Sequence, residues 1–465
     1  MELQVFLKET ITVRPSEELQ KQTIELSGLD RISPAILFTI FFYKSSCIEK
    51  SSDVAEGVFE RAKKSLGKVL VSWFPAAGRL RINEATGKLE IDCSNEGVIM
   101  VIAGTNSKLE ELGELYDYKA CYEKLVPQLP PHADDMSKTP LVVVQITSFS
   151  CGGFSIGFGS SHALFDGLGA YNFLSSWAHI SYGRDVSDFA LPNHSRDALL
   201  KAIYAKNSSS PMSTSICEQK HIVAIQDLCN IPMQGGMASD DRCWEAALSK
   251  FTKFDPKDGL QLMTLCIKKE FVETLKRLVV ERGQLSRCST FDALCALIWK
   301  ARVKALSLHP DTNICLQFPV DSRTRLQPPL GQNFTGNAFI LASVSCTAKT
   351  LTEEPLQDTI LKIQSAKDVV KDDYIKLYAT ALESSDKFFP SMKELTIVTD
   401  WMKYSFETLD FGWGKLSSMA LLATPVPETA FLMMNLEEPG GILLRMGFGK
   451  EEAPRFVNFF YNFMS

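Results

Sequence analysis

The sequence predicts an α/β fold built in two halves. Three observations carry this: some segments repeat apolar residues at helical spacing and others alternate at strand spacing, the two kinds interleave on both sides of a Ser- and Gly-rich stretch, and 465 residues with 45% hydrophobic content are enough for two or three domains. A charged fraction of 22% excludes a disordered chain. No repeat of fixed period is present, which argues against solenoids and propellers.

The elements follow in order. Residues 34–43 (PAILFTIFFY) are apolar over about half the ~20 residues a membrane helix needs, so they read as a buried strand. Val54, Val58, Ala62, Leu66, Leu70 and Trp73 recur at three- and four-residue spacing, which predicts a helix over 53–73 with Asp53 and Glu56 as its capping box. PAAGRL at 75–80 breaks it. Leu80 and Ile82, then Leu89 and Ile91 beyond Thr86-Gly87, alternate as a hairpin. Residues 141–149 are β-branched and read as a core strand, followed by a second in which Phe154, Ile156 and Phe158 alternate with small residues. Beyond Gly167, Leu168, Tyr171, Leu174, Trp177 and Ile180 predict a helix ending near Gly183. Two loose stretches, 207–215 and 231–241, place a crossover linker at 206–240 between a first domain, 1–205, and a second, 241–465. In the second, 271–282 reads as an amphipathic helix stopped by Gly283, and 290–302 as a buried helix with Ser289 or Thr290 as N-cap.

A net charge of −6 supplies no overall field for nucleic acid or an anionic membrane, so a polyanionic ligand would need a local basic pocket. The N-terminal MELQVFLKET has no basic region followed by an apolar one, so a cytoplasmic location is expected. The twelve cysteines are scattered with no CxxC pair, which reads as reduced, packed thiols with no metal site.

Six histidines limit the search for a base. His132, His194 and His309 sit among prolines and polar residues and read as surface loops; His179 falls on the helix, packed or solvated. His162 differs, lying on a glycine-bracketed turn (GSSHALFDG) between a strand and a helix, where a rigid scaffold can project a side chain into a cleft. Asp166, four residues on, is placed to orient that turn. The HxxxD spacing alone arises by chance in roughly a third of such chains. Gly153–Gly157 also satisfies the G-x-S-x-G pattern of serine hydrolases, but Ser155 sits within a continuing strand and no helix begins after it. A last unusual segment is DFGWG at 410–414, two glycines around a tryptophan.

HALFDG at 162–167 and DFGWG at 410–414, in that order, resemble the two signatures of the plant BAHD acyltransferases, which use acyl-CoA thioesters. The five-residue motif has a chance frequency on the order of one in a million per position. PAAGRL (75–80) resembles the family's P-L-A-G-R-L, STFDALCALIWKAR (289–302) its S-T-F-x-A-L-x-A-x-x-W-x-A-R helix, and VDSRTRL with the following PPL (320–330) its V-D-x-R-x-R-L-x-P-P-L. The resemblance covers the whole chain. One departure stands out: many members have Y-F-G-N-A where this chain has Phe334-Thr335-Gly336-Asn337-Ala338, and it lacks the Cys that malonyl-transferring members often carry in place of the Ala.

The resemblance implies a two-domain fold like chloramphenicol acetyltransferase, with a solvent channel between the domains that CoA enters from one face and the acceptor from the other. It implies His162 as general base toward an acceptor hydroxyl or amine, Trp413 of the loop with Gly412 and Gly414 as a candidate oxyanion donor or structural piece, and Arg323 as the partner of Asp166. Asp410 joins the site in a proton-accepting role or, as favoured here, in holding its loop. Acyl-CoA is then a co-substrate, with no permanently bound cofactor and no acyl-enzyme, in a monomer of specialised metabolism. The alternative is a non-catalytic relative that binds a small molecule or a protein; intact His162, Asp166 and DFGWG argue against it. The donor, whether acetyl, benzoyl or hydroxycinnamoyl, is not legible in the sequence, and the apolar composition points to a hydrophobic or aromatic acceptor.

Overall fold

The computed structural model describes residues 3–31, 36–44, 52–128, 136–185, 188, 190–204, 260–281, 285–383, 394–422 and 429–464. The expected linker at 206–240, Gly283 and His132 lie outside these residues, as do the side chain of Asp53 and both domain boundaries. Among the described residues fifteen strands, numbered in chain order, form three sheets. The first runs β1 (Phe6–Val13), β6 (Val98–Gly104), β7 (Val142–Ser148), β8 (Phe154–Ser161), β3 (Ile36–Tyr43) and β13 (Leu416–Leu421). The second runs β11 (Phe339–Thr347), β10 (Asn313–Asp321), β12 (Leu395–Asp400), β14 (Thr429–Met434), β15 (Ile442–Gly449) and β9 (Leu260–Ile267). A small third sheet holds β2 (Gln22–Glu25), β5 (Leu89–Cys93) and β4 (Arg79–Ile82), the last two being the expected hairpin.

Each large sheet is thus built mainly from one half of the chain, with one exchange. β13 comes from the second half yet pairs antiparallel with β3, Met419 opposite Phe41. The large sheets mix parallel and antiparallel pairs, and β7 and β8 are buried almost throughout, which explains their apolar or small residues.

The helices follow the periodicity. The Ser52–Ser72 helix buries Val58, Ala62, Leu66 and Leu70, with Trp73 just beyond its end, against the Gly167–Tyr182 helix. Trp177 Nε1 joins the two by donating to Ala62 O at 3.2 Å and Ser65 Oγ at 3.0 Å, and Trp73 Nε1 donates to Ser176 Oγ at 3.3 Å. Gly183 (φ 99°) ends the second helix in the left-handed conformation that favours glycine. Ser289 is the N-cap of the Thr290–Leu306 helix: its Oγ accepts from Asp292 N at 3.0 Å and Asp292 Oδ2 accepts from Ser289 N at 3.3 Å. All eight cysteines within the described residues are free. No helix among the described residues is long and apolar enough to cross a membrane.

His309 is exposed and His179 half-buried beside Asp188, but His194 is not a surface residue. It is 7% exposed, packed edge-on against Trp73 and Phe74, with Nε2 donating to Ser72 O at 2.8 Å and Nδ1 accepting from Thr335 Oγ1 at 2.9 Å. The polar loop around it docks because two distant elements satisfy both ring nitrogens, which local composition does not register. Burial pushes its pKa down to about 4.

Candidate active site

β8 carries the site to its position. Side chains alternate along it, so Phe158 and Ser160 share a face and His162 continues that row just past the strand's end. Opposite them in register stand Thr39 and Leu37 of β3. On the other face the glycine positions have no room for a side chain: a Cβ on Gly157 would lie 2.1 Å from Leu125 O and one on Gly159 2.5 Å from the Phe38 ring. This accounts for the glycines of G-x-S-x-G, with Ser155 fully buried inside the strand as expected.

After Ser161 the chain turns, Leu164 N donating to Ser161 O at 3.0 Å, and Asp166 becomes the N-cap of the Gly167–Tyr182 helix, Oδ1 accepting from Gly169 N at 3.0 Å. The same carboxylate receives two bonds from Arg323, Nη2 to Oδ1 at 2.9 Å and Nη1 to Oδ2 at 2.8 Å, and one from Ala338 N at 3.3 Å. Arg323 also donates to Phe334 O and Gly336 O, with its side chain 1% exposed. Two planar groups matched edge to edge make this a rigid joint between the two halves. A Cβ at Gly167 would meet Tyr404 Oη at 2.9 Å, so the turn is tight on that side too.

His162 is half-buried, its ring edge-on to Phe339 at 5.9 Å, and its backbone oxygen accepts from Asn337 Nδ2 at 2.7 Å. Desolvation pulls its pKa below the ordinary histidine value, opposed by Asp166, by hydrogen bonding to its own backbone carbonyl and to Asn337, and by Asp30. The ring is therefore neutral at pH 7, with a lone pair available to take a proton.

It opens onto a cavity of about 280 Å³ between the two large sheets. β3 and β8 line one side, β10, β11, β12 and β14 the other. The walls are mostly apolar, with Phe41, Phe158, Trp401, Phe406 and Phe431 among them. Thr39, Ser160, Thr399 and Thr429 add hydroxyls, and Asp400 and Lys403 add charge.

The second motif lies elsewhere. None of Asp410, Gly412, Trp413 and Gly414 lines this cavity. Asp410 Oδ1 accepts from Gly412 N at 2.7 Å, and Gly412 (φ 82°) and Gly414 (φ 122°) hold conformations that disfavour side chains. Trp413, 7% exposed, stacks on Phe411 at 5.2 Å and packs against Tyr43 and Phe154 at about 6 Å. Its indole N–H is buried in this cluster and has no hydrogen-bond partner among the described residues. Phe411 caps Trp177 edge-on at 4.9 Å, and the loop then feeds β13 into the first sheet.

The structure therefore brings His162, Asp166 and Arg323 together and sets the 410–414 loop apart. Sequence reasoning missed Asp30, Arg196 and Thr335, which pack beneath the turn, and assigned no role to Asn337. No periodicity marks them, and Asp30 contacts Asn337 across 307 positions of chain.

The profile of the family described as Transferase family matches residues 3–446. Brassinosteroid-related acyltransferase 1 of Arabidopsis thaliana is 37% identical over 446 residues, 95% of this chain and 94% of that one. Fatty alcohol:caffeoyl-CoA acyltransferase of the same plant is 34% identical, covering 89% and 88%. Among solved structures, vinorine synthase superposes with a TM-score of 0.71 at 21% identity, covering 97% of this chain and 96% of its own. TRI101 of F. sporotrichioides, complexed with coenzyme A and T-2, gives 0.68 at 16% identity, covering 94% and 97%. The fold is the two-domain one of chloramphenicol acetyltransferase-like enzymes. With His162 on a cavity between the two large sheets and relatives of this kind along its whole length, the chain belongs to the plant BAHD family of acyl-CoA-dependent acyltransferases.

Proposed function

We propose that His162 is the general base of acyl transfer from an acyl-CoA to the hydroxyl or amine of an apolar small molecule, with both substrates meeting in the cavity between the sheets. The observation that carries this is a neutral, half-buried imidazole on an otherwise mostly apolar wall. The acceptor's O–H or N–H proton passes to His162 as its heteroatom attacks the thioester carbonyl. The tetrahedral intermediate then expels the CoA sulfur, which takes that proton back. A positioned base contributes about 10²–10⁴ in rate. Asp166 and Arg323 hold the turn, and Asp410 with Gly412, Trp413 and Gly414 serves as a structural loop that secures β13.

The aromatic walls favour an alcohol or amine with a long chain, a ring system or both. Relatives named for fatty alcohol and omega-hydroxypalmitate acceptors point the same way. We further propose a cytoplasmic monomer, divided at 206–240, that needs no resident cofactor. The experiment is free-thiol release from acetyl-, benzoyl- and hydroxycinnamoyl-CoA, with and without pooled apolar alcohols and amines, with products read by mass spectrometry. Acceptor-dependent release that disappears in His162→Ala is expected. Release that persists in a folded His162→Ala overturns the base assignment, and no acceptor-dependent release with any pair favours the non-catalytic alternative.

A further inference from the structure

Beside the His162 turn, the cavity wall holds a phenol whose hydroxyl is unpaired. Tyr404 lines the cavity together with Gly167 and is 9% exposed. Its hydroxyl end lies over the first residue of the Gly167–Tyr182 helix, where a Cβ on Gly167 would stand 2.9 Å from Oη and 3.1 Å from Cε2. The ring is fixed by its neighbours. It stacks on Tyr171 at 5.7 Å with the planes 18° apart, and Phe406 meets it edge-on at 5.9 Å. Tyr171 is tied in turn by its own hydroxyl, which donates to Ser405 O at 3.4 Å.

Among the described residues the Tyr404 hydroxyl makes no hydrogen bond. The nearby Asp166 carboxylate is already occupied, Oδ1 accepting from Gly169 N and Arg323 Nη2, Oδ2 from Arg323 Nη1 and Ala338 N. Asp321, also on the cavity, uses Oδ1 to accept from Arg323 N at 2.9 Å and Arg323 Nη1 at 3.4 Å. Burial pushes the phenol's pKa well up, with Asp166, Asp321 and Asp400 adding to the rise and Arg323 opposing it. The group therefore keeps its proton and serves as a donor. A buried donor left unpaired is costly, and a ligand that brings an acceptor removes that cost on binding.

We propose that Tyr404 is a specificity-determining residue whose hydroxyl donates to an oxygen of the bound substrate other than the one that reacts at His162. This rests on the acyl-transfer reading of the cavity, but its test does not require turnover. The oxygen is a hydroxyl, keto or amide oxygen. An acceptor carries it as a second function beside the reacting one, or acyl-CoA carries it in the amides of its pantetheine arm. The hydroxyls of Thr39, Ser160, Thr399 and Thr429 stand on the strands of the walls, whereas Tyr404 reaches the turn from the segment after β12. A wholly apolar slot would take any chain that fits; a fixed phenol on its wall separates ligands by a single oxygen.

The test compares the full chain with Tyr404→Phe, which keeps the ring and its stacking and removes only the oxygen. Dissociation constants are measured by calorimetry for n-octanol, its vicinal diol and coenzyme A, with the melting temperature as the check on folding. Tyr404→Phe is expected to weaken the diol about fivefold, the worth of one hydrogen bond, with n-octanol and the melting temperature unchanged. A loss of that size confined to coenzyme A places the oxygen on the pantetheine arm and supports the same donor role. Unchanged constants for all three probes, or no binding of any of them by the wild type, overturn the proposal. An equal loss for both alcohols puts the bond on the reacting oxygen or within the fold and overturns it as well. Activity retained in His162→Ala would instead remove the base reading and leave these binding results standing.

Discussion

The turn at 162–167 and the loop at 410–414 are both short and both carry glycine, yet they are held by opposite means. The first is fastened by ionic and hydrogen bonds: Asp166 receives four, two from Arg323, and His162 O receives one from Asn337. The second is fastened mainly by rings, Phe411 and Trp413 seated against Tyr43, Phe154 and Trp177. On the proposed reading of His162 as the base, directional bonds suit a group that presents one nitrogen to a cavity. Aromatic burial suits a loop that leads directly into β13 at the edge of β3.

Variants can break this contrast. The largest effect is expected from His162→Ala, a loss of about 10²–10⁴ in kcat with the melting temperature nearly unchanged, measured by thiol release and calorimetry. Loss of stability in step with activity would make the turn structural as well. Arg323→Ala leaves Asp166 buried without its charge partner and should cost about 3–5 kcal/mol in denaturant unfolding. Trp413→Ala should cost a similar ~3–5 kcal/mol, but its folded fraction should keep wild-type turnover. A folded Trp413→Phe with turnover down a hundredfold would restore the indole N–H to the chemistry.

A further handle is pH. His194 has its pKa depressed in the folded protein to about 4, below the value near 6.5 of the unfolded chain. Between these values the unfolded state binds more protons, so stability is full above pH 6.5 and falls as pH drops toward 4, by about 3 kcal/mol from this group. Urea titrations at several pH values should show this fall, and His194→Gln should flatten it. Asp410→Asn sets the small end: the amide oxygen still accepts from Gly412 N, so about 1 kcal/mol is expected, with turnover intact.

Much of the architecture was legible. The row Val58, Ala62, Leu66, Leu70 and Trp73 is buried as its spacing requires, Gly183 ends its helix, and Ser289 caps the next with Asp292. Asp166 could be read as a turn holder because an Asp directly before a helix is a cap whatever lies further away. His194 was misread for the converse reason. Its neighbours in sequence are polar, and the groups that bury it, Ser72 and Thr335, are 122 and 141 residues away.

The sequence by itself determined several elements, among them the helix that ends at Gly183 and the one that opens at Ser289, and which turn carries the histidine, since these follow from side-chain periodicity and capping within a few residues. Only the tertiary structure decided that Trp413 faces the core, that β13 crosses to the first sheet, and that Asp30 lies within reach of Asn337. Those outcomes depend on sheet register and on which volumes fill when two layers close, quantities to which every part of the chain contributes and no local pattern reports.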